Sequence, residues 1–230
     1  MMNFFTGNAM WHLIKQSDMV SKFVMLLLLG MSVICWTLFF YKLIALRVKK
    51  RQMKAALANL KNADSIEQML ALASTNTHTA PGYFLAKNLT FLKLILESNR
   101  AHNNRQLTPH QWNLVEQTIQ QVVDDMMDYE ESGLSFLSAS AAVAPLLGLF
   151  GTVWGLVHSF ISISEKQSAD ITTVAPGLAE ALMTTLAGLM VAIPALIMFH
   201  YLSLQIARFG NTLMATADRF NFVVQKLFFW

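Results

Sequence analysis

Ile171 to Ala207 reads ITTVAPGLAEALMTTLAGLMVAIPALIMFHYLSLQIA, and Glu180 is its only charged residue. The run is longer than the roughly 20 residues a helix needs to cross a bilayer. An acid inside such a span is costly, faces a bundle interior or a wet path, and marks ion or proton routes. Working outward, Ser132–Ser164 and Phe23–Tyr41 carry no charge at all. Both also reach spanning length. Only 13% of the 230 residues are charged, about half the roughly 25% of soluble domains. The expected fold is therefore an all-α integral membrane protein with three transmembrane helices. Since the second and third runs exceed one membrane thickness, those helices should project beyond the hydrocarbon or tilt.

Orientation follows from the basic residues. Lys42, Arg47, Lys49, Lys50, Arg51 and Lys54 crowd the end of the first span, and such an excess marks the cytoplasmic side. Contact with anionic lipid explains the cluster more simply than nucleic acid does. The division expected is 1–22 periplasmic and interfacial, 23–41 first span, 42–131 cytoplasmic, 132–164 second span, 165–170 periplasmic loop, 171–204 third span and 205–230 cytoplasmic helix. Long cytoplasmic helical extensions complete the fold. The first run is too long for a signal h-region, and no small-x-small cleavage site follows it. Cys35, the one cysteine, excludes an intramolecular disulfide and is expected to be packed against helix or lipid.

Within the extramembrane segments, Phe4, Phe5, Met10, Trp11, Leu13 and Ile14 form an amphipathic stretch suited to the outer interface. Ser65 and Gln68 form a capping box opening a helix to about Ser74. Thr75–Gly82 reads as a loop punctuated by Pro81-Gly82. A helix over Tyr83–Ser98 and a polar stretch, Asn99–Thr108, follow. Thr108-Pro109-His110-Gln111 is a clear helix start. From it Trp112, Val115, Ile119, Val122, Met126 and Tyr129 recur at helical spacing, predicting one packed stripe. A single helix is expected from Pro109 to about Ser164, bent at Pro145. Asp124, Asp125, Asp128, Glu130 and Glu131 read either as a solvated face or as a cation-attracting vestibule.

The second span holds Gly148, Gly151 and Gly155, small residues that let helix backbones approach closely. Without a following Lys, and inside a span, they are no phosphate loop. Thr152 either bonds a carbonyl of its own helix or lines a pore. In the third span Glu180, Thr184 and Gly188 share a face, whereas Thr185 lies about 140° from Glu180 on an ideal helix. Pro176 sits near the start of that helix and Pro194 in its inner half. Glu180 is either a hydrogen-bonded structural acid or a proton relay. His158 and His200, near span ends, read as structural. No metal-binding cluster, nucleotide loop or hydrolytic triad is visible, so neither an enzyme nor a cofactor other than protons is expected. One acid and a few hydroxyls on three helices cannot complete a hydrophilic route, so oligomerisation is expected.

Gly148–Gly155 (GLFGTVWG) and Val174–Ala195 (VAPGLAEALMTTLAGLMVAIPA) resemble the signature segments of the MotA/TolQ/ExbB proton-channel family. Val20–Leu26, Gly30 and Trp36 extend the likeness to the first span. The resemblance implies a homopentamer around a TolR-like dimer in a Gram-negative inner membrane, a TolA-like further partner, and protons as the coupling ion. The partner helix would carry the proton on an aspartate. The implied role is to couple proton motive force to envelope integrity and constriction in division, as in Tol-Pal systems. An ExbB-type uptake motor and a non-conducting scaffold are the alternatives. The family's polar positions fall on Thr152, Thr185 and Glu180. Doubled Thr184-Thr185 departs from its usual small residue followed by Thr, and aromatic Phe228-Phe229-Trp230 from its polar tails.

Overall fold

In lipid a backbone must satisfy its own polar groups, and a charge-free run does so by coiling into an α-helix. The computed structural model of the protein describes residues 18–61, 79–101, 108–166 and 171–229. Almost all of these are helical, in α1 (Met19–Lys61), α2 (Ala80–Ala101), α3 (Pro109–Glu131), α4 (Leu134–Lys166) and α5 (Ile171–Phe229). Among the described residues three stretches are long and apolar enough to cross a membrane. They lie in α1, α4 and α5, so the chain is a multi-pass, all-α membrane protein.

The chain divides into two compact units. The first holds α1 as far as Phe40, with α4 and α5 as far as Tyr201. Its core joins Val24 and Leu28 to Ala144 and Ala192, with Met31, Leu147, Ala187 and Val191 packed around them. Leu29, Val33, Phe150, Val153, Leu186 and Ile193 point outward and are exposed. A face so apolar suits lipid or neighbouring helices rather than water.

The second unit holds α1 from Tyr41, α2, α3 and α5 from Leu202. Leu46, Met53 and Leu60 of α1 are buried at seven-residue intervals, as are Ile206, Leu213 and Phe220 of α5. That spacing is the seam of coiled-coil packing. Phe84 of α2 meets Phe220 edge-on, with ring centroids 6.0 Å apart. Asn99 and Gln111 exchange two hydrogen bonds, of 3.0 and 2.6 Å, joining α2 to α3. The capping box at Thr108 is present, with Pro109 opening α3. Thr108→Ala should cost about 1 kcal/mol of stability, measured as a lower denaturant midpoint. An unchanged midpoint would show that Gln111 holds this start alone.

Several expectations need correction. Pro109–Ser164 is not one helix, because α3 ends at Glu131 and Gly133 adopts φ +85°. An L-side chain disfavours that conformation, and glycine permits the break. Ala80, Pro81 and Gly82 form the first turn of α2 instead of ending a loop, with the Thr79 hydroxyl accepting from Gly82 N–H at 3.3 Å. Proline suits a first turn, where its missing N–H costs nothing. The same helix runs on through Asn99 to Ala101. On α3 the packed stripe ends differently from its pattern: Tyr129 is exposed and Glu130 is buried. α4 reaches Lys166, into the expected loop, whereas a helix over 205–229 is present as expected, as a continuation of α5. The N-terminal amphipathic stretch, the Ser65–Ser74 helix, residues 167–170 and Trp230 lie outside the described residues.

Candidate functional site

Glycine at Gly148, Gly151, Gly155 and Gly188 brings α4 and α5 to backbone contact. A Cβ added at Gly188 would lie 2.5 Å from the Ala144 carbonyl oxygen and 3.1 Å from Gly148 Cα. One at Gly148 would lie 2.9 Å from Thr185 Cα, and one at Gly155 2.9 Å from Ala181 Cβ. At Gly151 it would strike the Thr184 side chain, and at Gly177 the Ser159 hydroxyl. The partners run in opposite directions along the two helices, so the seam is antiparallel. Pro145, Pro176 and Pro194 all sit inside helices that continue through them.

The hydroxyls divide by place. Thr184 is 0% exposed in this seam. Its Oγ1 donates to Ala181 O at 2.7 Å and reaches Gly148 O at 3.5 Å. Thr185, half-buried, donates to the same Gly148 carbonyl at 3.0 Å. Thr152 donates to Leu149 O of its own helix at 2.6 Å. The structure thus gathers Thr184 and Thr185 at Gly148–Gly151, while Thr152 is satisfied locally.

Glu180 is half-buried, four residues before Thr184 and five before Thr185. Its Oε1 accepts the Asp18 backbone N–H at 3.0 Å. Asp18 opens α1: its Oδ1 accepts from Met19 N–H at 2.8 Å, and its carbonyl from Lys22 N–H at 3.0 Å. Its Oδ2 accepts the Trp154 indole N–H at 2.8 Å. One residue therefore touches all three helices of this unit. The Trp154 bond above all, then Met19 N–H, with His158 and Lys22 nearby, holds the Asp18 carboxyl below its ordinary range. A depressed carboxylate contributes stability above its unfolded pKa of about 3.9 and loses it as pH falls through the depressed value. In a His158→Gln protein whose only tryptophan is Trp154, emission should stay flat from about pH 8 to 5 and change only below about 4. A transition near neutrality would contradict this. His200 packs on Phe199, with ring centroids 5.3 Å apart.

Sequence reading missed Asp18 and Trp154; an acid directly before a helix, and a Trp and His four apart on the second span, were the available signals. It also missed a charged cluster in the second unit. Glu130 and Lys42 are 4% and 8% exposed. Lys42 Nζ donates to the Glu130 and Tyr129 carbonyls at 2.8 and 3.2 Å, capping the end of α3. Lys49 pairs with the Glu130 carboxylate and lies 4.9 Å from the centroid of the exposed Tyr129 ring. Glu130 is therefore not part of a solvated acidic face. Among the described residues no group of three His, Cys, Asp or Glu side chains is placed to hold a metal.

Residues 76–214 match the MotA/TolQ/ExbB proton channel family. The chain is 33% identical over 211 residues to the biopolymer transport protein ExbB of Salmonella typhimurium, covering 90% of this chain and 83% of that one. It is 29% identical over 219 residues to the Tol-Pal system protein TolQ of Pseudomonas aeruginosa, covering 95% and 93%. With TolQ of Haemophilus influenzae it shares 40% identity over 96 residues, 42% of each chain.

Proposed function

Because this chain belongs to the MotA/TolQ/ExbB proton channel family, we propose that it is a proton-conducting motor subunit of a Tol-Pal system in a bacterial inner membrane. The observation that carries this reading is Glu180, the lone charged residue of Ile171–Ala207, beside a backbone-close seam holding Thr184 and Thr185. Protons are the coupling ion. Five copies surround a TolR-like dimer whose aspartate takes up and releases the proton against Thr152, Thr184, Thr185 and Glu180. Each charge crossing yields about 2.3 kcal/mol per 100 mV, passed to a TolA-like protein for envelope integrity and constriction in division. The broad outward-facing apolar surface of the first unit supports self-association.

The Tol-Pal assignment draws support from the 40% identity with Haemophilus TolQ. A second reading, an ExbB-type motor energising outer-membrane uptake, draws support from the longer match to Salmonella ExbB. Co-expression with a TolR-like and, separately, an ExbD-like partner, followed by intact-complex mass, tests both. A five-to-two complex with the TolR-like protein alone is the expected result. Selective assembly with the other partner favours the uptake motor, and assembly with neither sinks the motor reading.

A further inference from the structure

We propose that Asp18 is a positioning residue for Glu180, presenting its backbone N–H to the Glu180 carboxylate while Trp154 holds its side chain. The inference rests on reading Glu180 as part of the proton path. Three observations carry it. The Asp18 N–H is the group bonded to Glu180 Oε1, at 3.0 Å across 162 residues of chain. The Asp18 side chain is tied at both oxygens, to Met19 N–H and to the Trp154 indole, each at 2.8 Å. Glu180 and Trp154 lie on the two helices of the glycine seam, so α1 is referenced to both walls through one residue.

A glutamate side chain has three rotatable bonds and, in a span, several orientations of similar energy. A fixed donor at one oxygen selects one of them. The oxygen left over is then aimed the same way in every copy, which a proton transfer over hydrogen-bond reach requires. Because the donor belongs to the backbone, the identity of the Asp18 side chain matters only through what anchors it. Among the described residues the charged and titratable groups around Asp18 at this junction are Glu180, His158 and Lys22.

The test uses inner-membrane vesicles holding the full complex with its partner, with proton flux measured against pH. Asp18→Asn keeps the backbone N–H but offers one acceptor oxygen to the two donors that the carboxylate holds, so a loss of up to about threefold, displaced in the same direction as in Trp154→Phe, is expected. Asp18→Pro removes the N–H, and proline is tolerated at a helix start; at least a tenfold loss with a displaced profile is expected. Trp154→Phe removes only the indole donor and should lose about threefold with a displacement in the same direction. Intact-complex mass accompanies each variant. If Asp18→Pro fails to assemble, Trp154→Phe decides, and parental flux with an unshifted profile in that variant overturns the inference. Glu180→Gln separates the two failures. Parental flux in Glu180→Gln overturns the proton-path reading, whereas a dead Glu180→Gln beside a parental Trp154→Phe overturns the positioning role alone.

Discussion

Gly188→Leu is expected to lower the yield of folded protein in the membrane severalfold. Even one methyl group at Gly188 would sit 2.5 Å from the Ala144 carbonyl oxygen and 3.1 Å from Gly148 Cα. Both obstacles are backbone, so no rotamer change relieves them, and α4 and α5 must move apart. Separation also removes the Thr185 bond to Gly148 and the burial of Thr184. Overpacking costs about 1–3 kcal/mol where side chains yield, and more where they cannot. Against a total of about 5–15 kcal/mol, such a cost depletes the native state. Gly30→Leu is the matched control, since nothing lies within 4 Å of a Cβ there. Detergent-extractable, monodisperse protein should fall severalfold for Gly188→Leu and stay level for Gly30→Leu. Equal yields for the two would refute the close approach.

Glu130→Ala is expected to destabilise the second unit far more than the loss of an exposed acid on the same helix. The carboxylate is 4% exposed and answers Lys49, while Lys42, itself 8% exposed, lies against the carbonyls of the same turn. Removing one partner of a buried pair costs about 3–5 kcal/mol. The Lys49 side chain is 28% exposed and can turn to water, so about 2–3 kcal/mol is expected here. By contrast Lys87 and Asp125, paired at 2.8 Å but 41% and 49% exposed, should contribute under about 1 kcal/mol. Their bond raises the Lys87 pKa, so its small contribution is present below pH about 10.4 and lost as pH rises through the raised value. Denaturant midpoints of Glu130→Ala and Asp125→Ala give the comparison. Similar midpoints would show that Glu130 is solvated after all.

The spans and the Thr108 start were legible because each rests on local chemistry: absent charge over a membrane's thickness, or a box of four residues. The glycine seam was legible in part. Small residues announced a close approach, yet only the fold pairs Gly188 with Ala144 and Gly151 with Thr184. The break at Gly133 was lost because apolar periodicity runs up to it, and one positive φ leaves no periodic trace. Glu130 was misread for a related reason. Among five acids in eight positions of α3, only tertiary neighbours decide which one is buried, and Lys42 and Lys49 lie more than 80 residues away. Asp18 could have been read as a helix start, but not as a partner of Glu180, because that contribution is a main-chain N–H, which every residue but proline carries.

Cys35 is the one thiol in the chain, and it is 3% exposed within α1. A membrane-permeant maleimide can reach it only when that helix loosens from its neighbours. Alkylation speed therefore times the opening of the first unit without any engineered label. Variants that weaken the helix trio, Gly188→Leu foremost, should be alkylated faster, and a complex that tightens it more slowly. The molecule carries its own stopwatch.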